Sequence, residues 1–332
     1  PSVVQTATLD ALQKLEIAGA SDALFAAVSN GDLAGETRAA ALATLDKVKD
    51  KRLADAVKIA SDSSSSTLRL AALPISARLS PDAAAPVLAK LIEKGSADEQ
   101  RAAFRALGFS RHASAAPLFV QQLALLEQGK IAPAVQLDLL NAATRRNEPA
   151  IKAAIAKREA AIAANTDPLA PFRVALEGGN RIRGEQIFRN EPTLACIRCH
   201  RAGADGGDAG PNLADVGAKY PREYLLEAIV KPNAHIAPGF DTIVVTSKNG
   251  DVAAGIVSSE TATTLTLRNT ENKEVTVKKS DIAKREGAPS GMPEIYGAIL
   301  SKSQLRDVVE YMASLKEKPA TLDANLPRAL RG

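Results

Sequence analysis

The sequence is poor in aromatic residues and in cysteine. Of its 332 residues 3% are aromatic, none is Trp, and two are Cys. Strands favour aromatic residues, so their scarcity in a chain with many alanines is typical of closely packed helices rather than of an all-β sandwich. The sequence therefore predicts a mainly α protein.

Long apolar runs and a strong charge of one sign are also missing. No stretch approaches the roughly 20 apolar residues that cross a bilayer, so we expect no transmembrane segment. The net charge is +4, and the halves before and after residue 165 carry +3 and +1. Because no aromatic residues are interleaved with the basic ones, we expect no nucleic-acid binding. The chain begins at Pro1 with neither a start Met nor an apolar signal segment, which predicts a processed protein or a fragment of a longer one.

The first half of the chain repeats itself. Three segments, ETRAAALATL, STLRLAALPI and DEQRAAFRAL, align on Arg38, Arg69 and Arg101, which are 31 and 32 residues apart. In each segment small and apolar residues follow the Arg at helical spacing, and a second predicted helix separates one segment from the next. Two helices per repeat predict an α-solenoid over residues 1–165, and the pattern resembles HEAT-like repeats. An irregular, alanine-rich helical bundle is the alternative.

Two prolines mark the end of this half. Pro168 and Pro171 interrupt the helical pattern. The chain is also longer than the roughly 250 residues at which a single core stops growing. We therefore expect a repeat domain at 1–165, a linker at 166–179, a second domain at 180–318 and a C-terminal tail at 319–332.

Strand-like sequence interrupts the second domain. Helices are predicted at 180–188, 222–230 and 303–315. Between the last two, apolar residues alternate with polar ones around the turn signal Asn249-Gly250, and again over residues 263–279. This pattern predicts an antiparallel β insertion of three to five strands at about 238–286.

The two cysteines, Cys196 and Cys199, stand directly ahead of His200. A redox dithiol is one interpretation, but such a pair sits where a strand meets a helix and needs no following His. A zinc site is a second, but its remaining ligands would have to be His200 and the distant His112 or His235. A haem attachment site uses all three residues, because both thiols form thioethers with the haem vinyl groups and the adjacent His binds the iron. The motif therefore favours haem attachment.

The residues around the motif favour one of these three interpretations, haem attachment. Residues 210–213 are Gly-Pro-Asn-Leu, Met292-Pro293 follows far downstream, and a predicted helix closes the domain. With a helix that carries Gly184 and Phe188 ahead of the cysteines, residues 180–316 resemble a class I cytochrome c. The resemblance implies one covalent haem c on Cys196 and Cys199, iron ligands at His200 and Met292, and a hydrogen bond from the His200 ring to the Pro211 carbonyl.

Four side chains compete for the sixth position on the iron. His112 belongs to the repeat domain, and Met312 has the helical spacing of a core residue. His235, in a loop at the start of the β insertion, is an alternative ligand. Met292 stands where the cytochrome pattern places the ligand. An open or water-bound iron is the remaining alternative.

The β insertion departs from ordinary small cytochromes c. It accounts for a separation of 92 residues between His200 and Met292. Behind HEAT-like repeats, such an insertion resembles the haem-binding domain of large proteins from planctomycetes and verrucomicrobia. In those proteins the domain often follows a propeller-type dehydrogenase module, so the resemblance implies that this chain is the C-terminal part of a longer protein.

No other catalytic motif is recognisable. The Asp and Glu residues form no obvious acid/base pair, and no Ser/His/Asp order appears. The glycine-rich segment 203–210 lacks the Lys and the strand-before-helix setting of a phosphate-binding loop, and we predict flexible surface there.

The expected function follows from the iron ligands. A six-coordinate His/Met iron leaves no site for a substrate and moves electrons. We therefore predict a periplasmic mono-haem electron-transfer protein, not itself an enzyme, whose solenoid presents it to a redox partner protein. The alternatives are an electron-accepting subunit or fragment of a larger dehydrogenase, and a five-coordinate haem sensor or peroxidase-like domain.

Overall fold

The chain divides into two compact units, Pro1–Ala164 and Asn165–Gly332. The structure is a computed structural model, and it describes residues 20–110, 112–191, 193–194, 196–203 and 205–316. The predicted tail at 319–332 lies outside these residues. The fold class is the predicted one, because helices dominate and a small antiparallel sheet interrupts the second unit.

The first unit consists of helices throughout its described part. They are α1 (Ala20–Ser29), α2 (Gly35–Lys47), α3 (Leu53–Ser61), α4 (Ser66–Leu79), α5 (Pro81–Lys94), α6 (Ala97–Leu107), α7 (Ala115–Glu127), α8 (Pro133–Ala143) and α9 (Pro149–Ala163). Local sequence sets several of these ends. Ser96 and Glu99 form a reciprocal capping box at the start of α6, and prolines open α5, α8 and α9, where a missing N–H costs nothing.

The three repeated segments aligned on Arg38, Arg69 and Arg101 lie in α2, α4 and α6. Of these helices, α2 packs against α4, α4 against α6, and α6 against α8. Each of these helices buries an alanine completely: Ala41 in α2, Ala72 in α4 and Ala103 in α6. Alanine lets helix backbones approach closely, and Leu42 and Leu68 fill the remaining space. Alanine and leucine therefore fill much of the core, and the aromatic rings of Phe104 in α6 and Phe119 in α7 are buried with them.

Two of the aligned arginines donate hydrogen bonds to backbone carbonyls at or just beyond the end of the preceding helix. The Nε of Arg38 donates to the carbonyl of Val28 at 3.0 Å, in the last turn of α1. The Nη1 of Arg69 donates to the carbonyls of Ser63 and Ser64 at 2.7 and 2.8 Å, just beyond α3. The last carbonyls of a helix have no partner within it, and Arg38 supplies one for α1. Arg69 instead binds carbonyls of the loop that follows α3.

The second unit contains short helices and a five-stranded sheet. The helices are α10 (Arg181–Asn190), α11 (Cys196–Cys199), α12 (Val216–Lys219), α13 (Arg222–Val230), α14 (Tyr296–Ile299) and α15 (Lys302–Ser314). The segment predicted as a linker contributes Leu169 and Ala175 to the same core as Phe188 and Val309. Residues 165–179 therefore pack as part of the second unit.

Helices α10 and α15 cross at Gly184. A Cβ on Gly184 would overlap the backbone carbonyl of Asp307, so a side chain there is excluded by the close approach of the two backbones. The buried Asp307 carboxylate accepts hydrogen bonds from the backbone N–H of Asn180 at 2.7 Å and pairs with Arg183 at 3.0 Å. These contacts fix the first helix of the unit on its last one.

The β insertion lies between α13 and α14. Its strands are β1 (Thr242–Ser247), β2 (Val252–Glu260), β3 (Thr264–Arg268), β4 (Glu274–Lys278) and β5 (Ile282–Ala288), in the antiparallel order β4-β3-β2-β1-β5. Gly250, with φ of 93°, makes the turn between β1 and β2 that the sequence signalled. Val245, Leu265 and Leu267 form the small buried core of the sheet. Within the described residues, no helix is long and apolar enough to cross a bilayer.

Candidate functional site

The cysteine motif forms one short helical turn, α11. Cys196 and Cys199 are three residues apart, so both lie on the same side of this turn. The backbone N–H of His200 donates to the carbonyl of Cys196 at 3.0 Å, which extends the turn to the histidine. Both thiols are free and half-buried. The fold thus holds two thiols and an imidazole within five consecutive residues.

The His200 ring is held in one tautomer. Its Nδ1–H donates to the carbonyl of Pro211, with 3.0 Å between the nitrogen and the oxygen, as the resemblance implies. A carbonyl can only accept, so Nδ1 carries the proton and Nε2 of the neutral ring keeps its lone pair. Burial lowers the pKa of His200, against the smaller opposite effect of the Pro211 bond. The neutral imidazole with a free Nε2 is the form that binds a metal.

A glycine-rich loop wraps the motif. The N–H of Gly207 donates to the carbonyl of Ile197 at 3.0 Å, and that of Gly210 to the carbonyl of Cys199 at 2.8 Å. A Cβ on Gly210 would lie 2.6 Å from Cε1 of His200, so glycine is required where the backbone crosses the ring. These two bonds fasten the second half of the loop to the motif, whereas Gly203, Asp205 and Gly206 are exposed, as the sequence predicted for a surface loop.

The environment of the thiols argues against a redox switch. Burial raises the pKa of the Cys196 thiol to about 11. Burial also raises the pKa of Cys199, only partly offset by the charge of Arg198. Reactive dithiols instead have lowered pKa values, which supply the thiolate nucleophile.

The distant histidines have partners elsewhere. In the first unit, His112 lies 2.7 Å from Ser114 Oγ through Nδ1 and 3.5 Å from an Asp82 carboxylate oxygen through Nε2. His235 stacks on Tyr224 with ring centroids 5.8 Å apart. Across the described residues, no three His, Cys, Asp or Glu side chains converge to hold a metal ion. A zinc site built on Cys196 and Cys199 therefore has no support.

The two methionines lie in different surroundings. Met312 is 6% exposed and packs in the core of the second unit, the environment that its helical spacing predicted. Met292 is half-buried in a loop, and its N–H donates to Ser290 Oγ at 3.2 Å. Of the two methionines, only Met292 lies outside the packed core. Its sulfur is therefore not part of the core packing.

Two contacts bring the Met292 segment beside the cysteine motif. A Cβ on Gly291 would lie 3.3 Å from Cγ2 of Thr270, and the carbonyl of Thr270 accepts a hydrogen bond from the Cys199 thiol, at 3.7 Å between sulfur and oxygen. The hydroxyl of Tyr296 donates to the carbonyl of Leu194 at 3.2 Å, two residues ahead of Cys196. Burial raises the pKa of Tyr296, and the charges of the two nearby thiolates would raise it further. Thr270 carried no signal in the sequence, because it acts through its backbone and its methyl group.

These residues fit the attachment site of a c-type haem. The thiols sit on one side of a helical turn, the following His presents Nε2, and Pro211 fixes its tautomer. Residues 182–251 match the family model of cytochrome c. The matched residues run from α10 through the cysteine motif and α13 to the first strand. No curated protein matches the chain. The match supports a cytochrome c-type haem domain, a class whose haem c is covalently bound, with a role in electron transfer.

Proposed function

We propose that the second unit is a mono-haem electron carrier whose iron is bound by His200 and Met292. The observation that carries this proposal is the bond from His200 Nδ1–H to Pro211, which leaves Nε2 free for the iron. Cys196 and Cys199 would hold the haem through two thioethers, and the sequence contains no further cysteine for a second attachment site. When bound, the haem supplies one-electron iron chemistry.

Met292 is proposed as the sixth ligand because its segment lies beside the motif. Thr270 links this segment to Cys199, and Tyr296 links it to Leu194. With His200 and Met292 both bound to the iron, no position would remain for a substrate or peroxide. The chain would then carry electrons and would not itself be an enzyme.

The first unit is proposed as a HEAT-like scaffold for a redox partner protein. Support comes from the repeated helix pairs and from Arg38 and Arg69, which both donate to backbone carbonyls at or just beyond the end of the preceding helix. Stacked repeats form extended surfaces that suit protein binding. Because haem c is attached outside the cytoplasm, we place the protein in the periplasm. The combination with a β insertion favours the planctomycete and verrucomicrobial type, in which the partner is a dehydrogenase.

Two methionine variants test which residue binds the iron. Met292→Ala in the haem-loaded chain should lose the weak red absorption band of iron–thioether coordination, and its ferrous form should bind carbon monoxide rapidly. Met312→Leu, a change in the buried core, should keep both properties of the wild type. An unchanged spectrum in Met292→Ala would overturn Met292 as the ligand. Rapid carbon monoxide binding by the wild type would instead support a five-coordinate sensor or peroxidase-like domain.

A further inference from the structure

The β insertion contacts both segments that carry the proposed iron ligands. We propose that the β3–β4 turn bridges the His200 segment and the Met292 segment, and that Arg268 is the positioning residue that anchors this bridge. The inference rests on the proposed function and deepens it, because it gives the insertion a role in holding the sixth ligand. Three contacts support the bridge.

The first contact is made by the Arg268 side chain at the end of β3. Arg268 is 8% exposed, and its Nη1 donates to the backbone carbonyl of Asp208 at 3.2 Å. Its Nη2 donates to Glu274 at 2.7 Å and to Ser258 at 3.3 Å, so both ends of the guanidinium are fixed. Asp208 also pairs with Arg201, the residue after His200, at 2.6 Å. The sheet is therefore tied to the loop that wraps the cysteine motif.

The second contact is made by Thr270 in the β3–β4 turn. Its carbonyl oxygen lies 3.7 Å from the Cys199 sulfur, a proximity that does not depend on the thiol hydrogen that the haem thioether replaces, and its methyl group is the nearest atom to a Cβ placed on Gly291. Asn269 fixes the turn, because its Oδ1 accepts from the N–H groups of Glu271 and Lys273 at 3.0 and 2.9 Å. One residue of a hydrogen-bonded turn thus lies against both the cysteine motif and the Met292 segment.

The third contact is made by Thr242, the first residue of β1. Its Oγ1 is buried and has no hydrogen-bond partner among the described residues, and it lies 3.7 Å from the Cβ position of Gly291. An unpaired buried hydroxyl is costly and rare in native proteins, which marks this position as part of a site rather than of a closed core. The sheet therefore contacts the Met292 segment from β1 and from the β3–β4 turn.

The opposite side of the Met292 segment is held by residues near α13. The N–H of Ser290 donates to Asn233 Oδ1 at 2.8 Å, and Glu294 pairs with Lys231 at 2.7 Å. These partners are exposed, so solvent screens the ion pair and it restrains the segment weakly. The sheet adds contacts from Thr270 and from Thr242, whose hydroxyl oxygen is buried. Loss of the bridge should therefore loosen Met292 and leave the haem attached.

The test compares two arginines of the same sheet in the haem-loaded full chain. Arg268→Ala should raise the rate of carbon monoxide binding by the ferrous form by about tenfold to a hundredfold, the range that supporting residues of metal ligands show. It should also lower the reduction potential and weaken the red thioether band. Arg285→Ala is the matched control, because Arg285 likewise pairs with a sheet carboxylate, that of Glu260 at 3.1 Å. It should leave all three properties unchanged.

A third variant separates positioning from the stability of the sheet. Glu274→Ala removes the ion pair with Arg268 and leaves the guanidinium within reach of the Asp208 carbonyl. If Glu274→Ala equals Arg268→Ala in all three properties, sheet stability explains the effect and the positioning role is overturned. If Arg268→Ala fails to fold, Thr270→Ser replaces it as the test, because it removes only the methyl group that lies against Gly291. This variant should still speed carbon monoxide binding. Its control, Thr276→Ser on the exposed edge strand, should not.

The outcome for the bridge is distinguishable from the outcome for the proposed function. A wild-type chain without covalent haem, or an unaltered Met292→Ala spectrum, would refute the proposed function itself. A normal effect of Met292→Ala together with wild-type behaviour of both Arg268→Ala and Thr270→Ser would refute the bridge alone.

Discussion

The thiol of Cys199 donates a hydrogen bond to the carbonyl of Thr270, 71 residues further along the chain, with 3.7 Å between sulfur and oxygen. The contact joins the cysteine motif to the turn between β3 and β4. In the sequence, the inserted strands separate the motif from Met292. In the fold they return the chain to the motif, so that Gly291 lies against the same Thr270.

Removal of one cysteine should leave a haem on a single thioether. In Cys196→Ala or Cys199→Ala one vinyl group stays unsaturated and conjugated with the ring, so the absorption of the pyridine complex should shift to longer wavelength. The double variant should retain no haem on a denaturing gel. Wild-type spectra in both single variants would show that these thiols do not hold the haem.

A side chain at position 210 should displace the histidine. The Cβ in Gly210→Ala would lie 2.6 Å from the His200 ring, so the ring must leave its bond with Pro211. We expect a smaller fraction of low-spin iron and less haem per chain, measured by absorption and by pyridine complex. Gly287→Ala is the control, because a Cβ there meets nothing within 4 Å. Equal haem content and spin state in the two variants would contradict a tight fit at Gly210.

A side chain at position 184 should destabilise the second unit. The Cβ in Gly184→Ala overlaps the carbonyl of Asp307, so α10 and α15 must separate. Overpacking of this kind costs about 1–3 kcal/mol in the free energy of unfolding. Guanidinium unfolding followed by haem absorbance measures the loss, and a midpoint equal to that of Gly287→Ala would count against the close helix crossing.

Arg38 should stabilise the first unit and leave the haem spectrum unchanged. Arg38→Ala leaves the carbonyl of Val28 in the last turn of α1 without its donor, at a cost of about 1–3 kcal/mol. Arg78→Ala breaks a surface pair with Asp46 and should cost less than about 1 kcal/mol. Denaturant unfolding followed by far-ultraviolet circular dichroism gives both values. Similar costs for the two variants would contradict the role of Arg38 in closing the helix pair.

The sequence predicted those parts of the fold that local periodicity determines. The helix expected at 222–230 is observed as Arg222–Val230, and the helix expected at 303–315 is observed as Lys302–Ser314. Both have an apolar face against one core, which sets a helical period in the sequence. The β insertion was also visible, because its strands alternate and a Gly marks the first turn.

The contacts around the motif could not be predicted in the same way. The loop at 203–210 is fastened by backbone groups, and its glycines show no period that distinguishes a wrapped loop from a flexible one. Thr270 meets Cys199 through a carbonyl that every residue type has. Arg268 resembles any charged strand residue until its burial is known. Long-range contacts of this kind depend on the assembled fold rather than on residue type.

The most direct test of the central claim is the intact mass of the chain produced with haem-attachment machinery, combined with the optical spectrum of the same sample. The proposed function predicts the mass of the polypeptide plus one haem, stable to denaturation, together with a low-spin spectrum that has the red thioether band. A mass equal to that of the polypeptide alone would contradict haem attachment at Cys196 and Cys199.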